Sequence, residues 1–544
     1  MLCLNEERQS YLCSRKYELC LDVVQIICDF CDLETQINLI TTCKEYDENL
    51  QIRKLVCTSE TNPQVTQEIL QQKKFSQLRY LNASNNMKIT NVNHLKNTLV
   101  ELDCTGDCGI HQEGINELRK LQKLNVSYND KIINVHHLKD TLIELYCRGK
   151  SCSQKGINEL RKLQKLDASY NDKITKVNHL KDTLVELYCA GFDCGINQEG
   201  INELHKLQIL DAASNKKITN VNHLKYTLVE LICGGLCCHN SGITQEGISE
   251  LQKLEKLDVS ENENITNVNH LKDTLIELNC CSFGGWRSGM AQEGISELQK
   301  LQILNACGNC RITDVNHLCN TLIVLSCSAN SGITQQGIKE LQKLQKLIVT
   351  TNRKITDVNH LKDTLIELDC MCGEIAQEGI NKLLKLQKLN ASCNENITDV
   401  NHLRDTLIQL KCDRSCGIAQ KGISELRKLE KLNAWDNKNI TDVNHLRDTL
   451  VELDCHGECA ICQEGINELH QLQILDISNN NKITALDHLR DTLVELDCRG
   501  PNCSIAQEEI NGLRKLKKLD ARRNYEIISS ERKRKLLKIF TDVV

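Results

Sequence analysis

From Ile52 onward the apolar residues return in one fixed order. In the segment that begins at Leu163, Leu163, Leu166, Ala168, Asn171 and Ile174 occupy positions 1, 4, 6, 9 and 12. Alternation across positions 4 to 6 predicts a short strand whose inward side chains stack on the next coil of chain. This first kind of coil closes through Val177-Asn178-His179-Leu180-Lys181-Asp182-Thr183, too short for more than a turn or two, with Asn expected to cap a 3-10 segment. A second kind keeps the skeleton but carries Cys at position 6, as in Leu99, Leu102, Cys104 and Ile110. It closes with the helix-period residues Ile115 and Leu118, so its outer side is predicted to be helical.

The two kinds alternate. The second begins at Ile52, Leu99, Leu142, Leu184, Leu228, Leu275, Leu322, Leu365, Leu407, Leu450 and Leu493. The first begins at Leu78, Leu121, Leu163, Leu207, Leu254, Leu301, Leu344, Leu386, Leu429, Leu472 and Leu516, giving 22 coils. First-kind coils hold 21 residues until the last, whereas second-kind coils run from 21 to 26, so insertions fall at one place per pair, the loop after the strand. At ~4.8 Å between strands, such a stack would present an inner face on the order of 100 Å long, a surface suited to another macromolecule.

On these residues the chain resembles the leucine-rich-repeat superfamily. The resemblance implies an α/β solenoid: a curved parallel sheet on the concave side, helices and 3-10 turns on the convex side, and helical N- and C-terminal caps. The first kind is similar to internalin-style repeats, through Ile312-Thr313-Asp314-Val315-Asn316-His317-Leu318 and its copies. The second is similar to the cysteine-containing repeats of F-box proteins, although Cys108 stands two residues before Ile110 where that family has three. The composition also resembles that of repeat proteins of amoebal giant viruses.

Residues 1–51 lie outside the repeat. Leu19-Cys20-Leu21-Asp22-Val23-Val24, running on through Ile27 and Phe30 to Cys43-Lys44, resembles an F-box, with Cys20 where that family has Pro. The resemblance implies docking of the small adaptor of cullin-based ubiquitin ligases, with Leu19, Leu21, Val24, Ile27 and Phe30 at the adaptor-binding positions. A helical cap of the solenoid is the alternative. After the repeats (52–523), residues 524–544 are expected to form a C-terminal capping helix, from Ser530 through Phe540, with Leu536, Leu537, Ile539 and Phe540 apolar. Arg532 to Lys535 reads as its solvated face, or as a nuclear signal.

Composition narrows the function. A net charge of −6 in 544 residues, with both signs interspersed, offers no footprint for nucleic acid, so no polynucleotide partner is expected. Aromatic residues make up 3% and Pro occurs only at 63 and 501, so the core must be aliphatic. The start has no basic and apolar leader and no run could span a bilayer, which predicts a cytoplasmic protein, the nucleus being possible, with its 32 cysteines mostly reduced. Eleven cysteines at position 6 read as core, and a second thiol, as at Cys108, Cys416 and Cys459, could bond loop amides. Cys233, Cys237, Cys238 and His239 crowd near Cys280 and Cys281, but the spacing matches no zinc finger, so no metal or other cofactor is expected. Histidines recur in one register of the outer turn, which argues structure over catalysis, and no catalytic constellation appears, so the chain is expected not to be an enzyme.

Position 3 faces outward and alternates Glu (as at Glu101, Glu144 and Glu186) with Lys (as at Lys123, Lys165 and Lys256), predicting a cross-strand ion-pair ladder. The ladder breaks at Ile303 and Val324, just after an insertion, Phe283-Gly284-Gly285-Trp286-Arg287. Trp and Arg are frequent interface hot spots, so Trp286 and Arg287, with Trp435 at position 7 of its own coil, are the expected target-binding residues. The reading is a protein-interaction module: a substrate receptor of a ubiquitin ligase if the F-box resemblance holds, a plain binding scaffold or inhibitor otherwise.

Overall fold

The computed structural model describes residues 21–31, 33–235, 240–282 and 288–527, and the chain divides between Ile218 and Thr219 into two compact units. The described residues of the first unit begin with three helices, α1 (Leu21–Phe30), α2 (Leu33–Thr41) and α3 (Lys44–Asn49). They are tied to the first coil by Gln25, whose amide donates to Gln51 O at 2.9 Å and accepts from Gln51 N at 2.9 Å, and by an Arg53–Asp29 ion pair at 3.2 Å. Eight three-residue strands follow, β1 (Lys54–Val56) to β8 (Ile209–Asp211), each parallel to the next and in the same register. The second unit repeats the pattern from β9 (Glu230–Ile232) to β22 (Lys518–Asp520). The C-terminal helix expected from Ser530 lies outside the described residues.

The strands sit at positions 3 to 5, one residue earlier than the alternation predicts. Position 6 stays in the ladder through its amide alone, as where Cys104 N donates to Asn125 O at 2.9 Å, while its side chain turns inward. The position-4 leucines of every coil but the last, and all eleven position-6 cysteines, are at most 2% exposed; Leu519 of the last coil is half-buried. Burial of positions 1, 4, 6 and 12, repeated in nearly every coil before the last, is what binds neighbours, since a single coil cannot bury its own apolar face. Asn at position 9 completes the core: the Asn129 amide donates to the carbonyls of Cys104 at 3.0 Å and Ile110 at 3.1 Å in the preceding coil.

Position 8 is left-handed in both kinds of coil. Gly106, Gly308 and Gly457 take it with φ of 64 to 74°, but so do Tyr128, Thr351 and Arg414 at 55 to 61°. There the backbone needs glycine's freedom, and the other residues adopt it under strain.

On the outer side two expectations need correction. The second-kind closures are single turns and not longer helices: 3-10 turns such as Gln420–Gly422, with one α-turn in a few coils, for example Gln154–Ile157. The reason is the Gln-x-Gly sequence. Gln420 Nε2 donates to Asp442 O at 2.8 Å while its Oε1 accepts from the amides of Thr441 and Asp442, both at 2.9 Å. Gly422 lies against the preceding coil, where a Cβ would come within 2.1 Å of Thr398 O. In the first kind, Asn does not cap the 3-10 turn; it begins it. The residue two before supplies the cap, as Asn91 Oδ1 accepts from Asn93 N at 2.9 Å. Asn93 instead braces the next coil, donating to Glu113 O at 2.6 Å and accepting from Glu117 N at 2.9 Å.

The recurring histidines belong to the same bracing. Nε2 of His179, His360 and His445 lies 3.1, 2.9 and 2.9 Å from the carbonyls of Ile157, Ile338 and Ile423 in the preceding coil. Burial holds these imidazoles below their ordinary pKa and so favours the neutral form, while the contact with the carbonyl pulls the other way.

Candidate binding surface

Positions 3, 5 and 7 present the outward side chains of each strand. The Glu/Lys ladder forms at position 3, with Lys165–Glu186 and Lys431–Glu452 at 2.6 Å and Lys346–Glu367 at 2.8 Å. Such half-exposed pairs contribute about 0.2 to 1 kcal/mol each, so they neutralise the face more than they stabilise it. Ile303 and Val324, where the ladder breaks, are register partners on neighbouring strands.

Position 5 adds a polar stripe in which Asn amides bond neighbouring carboxylates, as Asn125 to Asp103 at 3.1 Å and Asn390 to Asp369 at 2.9 Å. In the first unit Tyr146 and Tyr188 replace this pattern, flanking the strand of Lys165 and Asp167. Lys165 Nζ lies 5.8 Å from the Tyr146 ring and 5.2 Å from that of Tyr188, while each hydroxyl donates to a glutamate on its own strand, Glu144 at 3.0 Å and Glu186 at 3.2 Å. Burial opposes the Lys165 charge, but Glu186 and the two phenols outweigh it and hold the ammonium above its usual range. Phe192 (54% exposed) lies in the loop after the Tyr188 strand, and Tyr128 (59% exposed) in the loop of the coil that precedes Tyr146. This group lies outside the residues expected to bind a target; its signal in the sequence is two tyrosines in a slot that otherwise favours Asp or Asn, in a chain with 3% aromatics.

Of the residues expected to bind a target, Trp286 and Arg287 lie outside the described residues. Trp435 is half-buried and forms a stack that the sequence did not reveal. The His456 ring lies 4.7 Å from it at an interplanar angle of 17°, and the Arg414 guanidinium lies 4.0 Å above its ring. His456 in turn meets Asp454 at 2.5 Å and Asp476 at 3.8 Å through Nδ1. Burial works against the imidazolium, but Asp454 and Asp476 prevail and raise its pKa. A cavity of 400 Å³ adjoins, lined by Glu452, Asp454, Asp476, Glu495, Asp497 and Lys518 among others.

Of the positions expected to bind an adaptor, Leu19 lies outside the described residues and Leu21 is half-buried. Val24 is buried at 3%, whereas Ile27 (45%) and Phe30 (87%) are exposed. Cys237, Cys238 and His239 of the thiol-rich loop also lie outside the described residues, while Cys233, Cys280 and Cys281 are core. The second thiols Cys108, Cys416 and Cys459 are buried.

No protein-family model and no curated protein matches the chain. Among solved structures it is similar to a TLR13–ssRNA13 complex, with a TM-score of 0.52 and 18% identity over 86% of this chain and 76% of that one. A leucine-rich-repeat protein of Leptospira interrogans (TM-score 0.33, 19% identity, 82% of this chain and 96% of that one) is also similar. So is the functional domain of InlJ from Listeria monocytogenes, which includes a cysteine ladder (TM-score 0.33, 20% identity, 67% and 76%). The fold is that of an α/β leucine-rich-repeat solenoid, as the parallel ladder and the coil core independently require. Among the described residues no helix is long and apolar enough to cross a membrane.

Proposed function

We propose that the chain is a non-enzymatic protein-binding scaffold of the cell interior, cytoplasmic or nuclear, that engages its target on the outward strand face. The observation that carries this reading is the Tyr146–Lys165–Tyr188 group with exposed Tyr128 and Phe192 beside it. Large amphipathic rings on a face otherwise built of neutralised ion pairs are the anchors from which protein interfaces draw most of their energy. The carboxylate stripe and the net charge of −6 weigh against a polynucleotide. The RNA in the TLR13 complex belongs to that protein.

The test is affinity capture from cell extract with the wild type and with Tyr146→Ala/Tyr188→Ala. A protein retained by the wild type, recovered at least tenfold less by the variant and indifferent to nuclease is the expected result. Equal recovery, or loss on nuclease treatment, overturns the reading.

A finer reading, a substrate receptor of a cullin-type ubiquitin ligase, is favoured by one observation. A segment that only capped the solenoid would bury its apolar residues, yet Val23, Ile26, Ile27, Phe30 and Ile37 on α1 and α2 are 40 to 87% exposed. Under this reading they meet the ligase adaptor. Ile27→Ala/Phe30→Ala should abolish co-purification of the adaptor while leaving the melting temperature unchanged, and failure of the wild type to bind the adaptor at micromolar concentration removes the reading.

A further inference from the structure

We propose that Asp454, His456 and Asp476 form a binding site for a first-row divalent metal ion of the manganese type. One ligand atom from each of the three lies within 4.8 Å of the other two, and it is the one such trio of His, Cys, Asp or Glu among the described residues. Two carboxylates and one imidazole form a mixed oxygen and nitrogen set, suited to ions harder than those that seek thiolate. An ion about 2.1 Å from each atom needs the 2.5 Å contact between Asp454 and His456 Nδ1 to open, and the 3.8 Å contact with Asp476 to close, by roughly half an ångström each.

The charge balance points the same way. Along position 5, residues on neighbouring strands alternate so that no two carboxylates adjoin until β19 (Glu452–Asp454), after which Asp454, Asp476, Asp497 and Asp520 follow on four successive strands. Arg499 and Arg522 neutralise the last two: Arg499 lies 2.7 Å from Asp497 and 3.6 Å from Asp520, and Arg522 lies 2.6 Å from Asp520. Among the described residues neither of the first two has an arginine within ion-pair distance, although the charge of Arg499 also reaches Asp476. Their partners are the Asn433 amide, which donates to Asp454 at 2.9 Å, the Ser478 amide, which donates to Asp476 at 2.9 Å, and His456. Position 7, where His456 stands, is otherwise occupied mostly by small residues such as Ser127, Ser169, Ala213 and Ser392. A histidine in a small-residue slot, aimed at an adjoining pair of carboxylates, is a double departure from the repeat at one place.

The rest of the stack then has a purpose. Trp435 covers the outer face of the imidazole and Arg414 covers Trp435, so the metal-held ring fixes both. The cavity of 400 Å³ shares Asp454 and Asp476, so the ion's remaining coordination positions are open to water or to a carboxylate of a bound partner.

Trp435 is a built-in reporter, because Trp286 is the other tryptophan of the chain. In Trp286→Phe protein kept in reductant, Mn²⁺ is titrated while electron paramagnetic resonance counts the free ion and fluorescence follows Trp435. Manganese is chosen because it competes poorly for the 32 thiols. We expect one ion bound per chain at micromolar concentration, with saturable quenching, and at least tenfold weaker binding in Asp476→Asn, a change that relieves carboxylate repulsion and leaves folding intact. His456→Gln is the second variant, with the same expected loss. No saturable binding by the wild type, as a protonated imidazole bridging the two carboxylates would give, overturns the proposal. So does binding that both variants retain.

Discussion

The side-chain amide of Asn437 donates to Cys412 O at 2.6 Å and to Ile418 O at 3.3 Å, while its own oxygen accepts from the amides of Asn439 and Ile440 at 2.8 and 3.1 Å. One buried side chain thus satisfies four backbone groups in two coils. Asn437→Ala leaves all four unpaired, at about 1 to 3 kcal/mol for each group that water cannot reach. A loss of about 3 to 5 kcal/mol in urea unfolding is expected; a loss below ~1 kcal/mol would mean that water or backbone rearrangement replaces the bracket.

Thr351, β-branched, holds a left-handed φ of 57° at the strand-end position where other coils place glycine. Thr351→Gly should raise stability by about 1 kcal/mol by removing that strain, despite the extra freedom of the unfolded chain. Gly308→Ala at the equivalent position should do the opposite, since its Cβ would lie 2.0 Å from Ser282 O as well as at φ 66°. The pair is read from denaturation midpoints.

His137 carries the clearest acid sensitivity. Burial, joined by repulsion from His136, lowers its pKa from 6.5 to about 4. The unfolded chain therefore binds the proton more readily than the folded one. The stabilising contribution is complete above pH 6.5 and is lost as pH falls toward 4, a change of roughly 1 to 2 kcal/mol after allowance for solvent screening. His137→Gln should flatten the fall in melting temperature between pH 6.5 and 4.5, leaving the smaller share of the other ring histidines.

Thiol labelling should sort the cysteines by depth. Burial pushes Cys57 and Cys416 up to about 12 and Cys108 and Cys459 to about 11, so at pH 8 they are neutral as well as covered. Peptide mass spectrometry after brief iodoacetamide treatment should find Cys310 alkylated, because it is exposed, and the position-6 cysteines untouched until denaturant is added. Fast modification of Cys104 or Cys455 would contradict their place in the core.

What could be read from the sequence follows from what repetition reports. Leu102, Cys104 and Ile110 are buried for reasons copied in every coil, so periodicity alone placed them and the strand order with them. The outer turns are less legible: Ile115 and Leu118 have helix spacing, yet Gln112 bonds to the neighbouring coil and Gly114 lies close against another, which stops the helix after one turn. The candidate sites were the least legible. Trp435 drew notice as a rare residue, but its partners His456 and Arg414 are 21 residues away on either side and are ordinary in isolation. Only stacking of successive coils turns that interval into contact.

The alternation of Glu and Lys at position 3 also limits how such a chain can change length. Loss of a single coil would set two like charges side by side, Glu101 against Glu144 for instance, and would seat one Cys coil directly on another. Loss or duplication of a whole pair, as from Leu99 to Leu142, restores every neighbour it removes. Genes encoding this scaffold can therefore lengthen or shorten by recombination between coils of the same kind while the protein keeps folding, so relatives should differ in size by whole pairs, and the reach of the binding face becomes a quantity that selection can adjust in discrete steps.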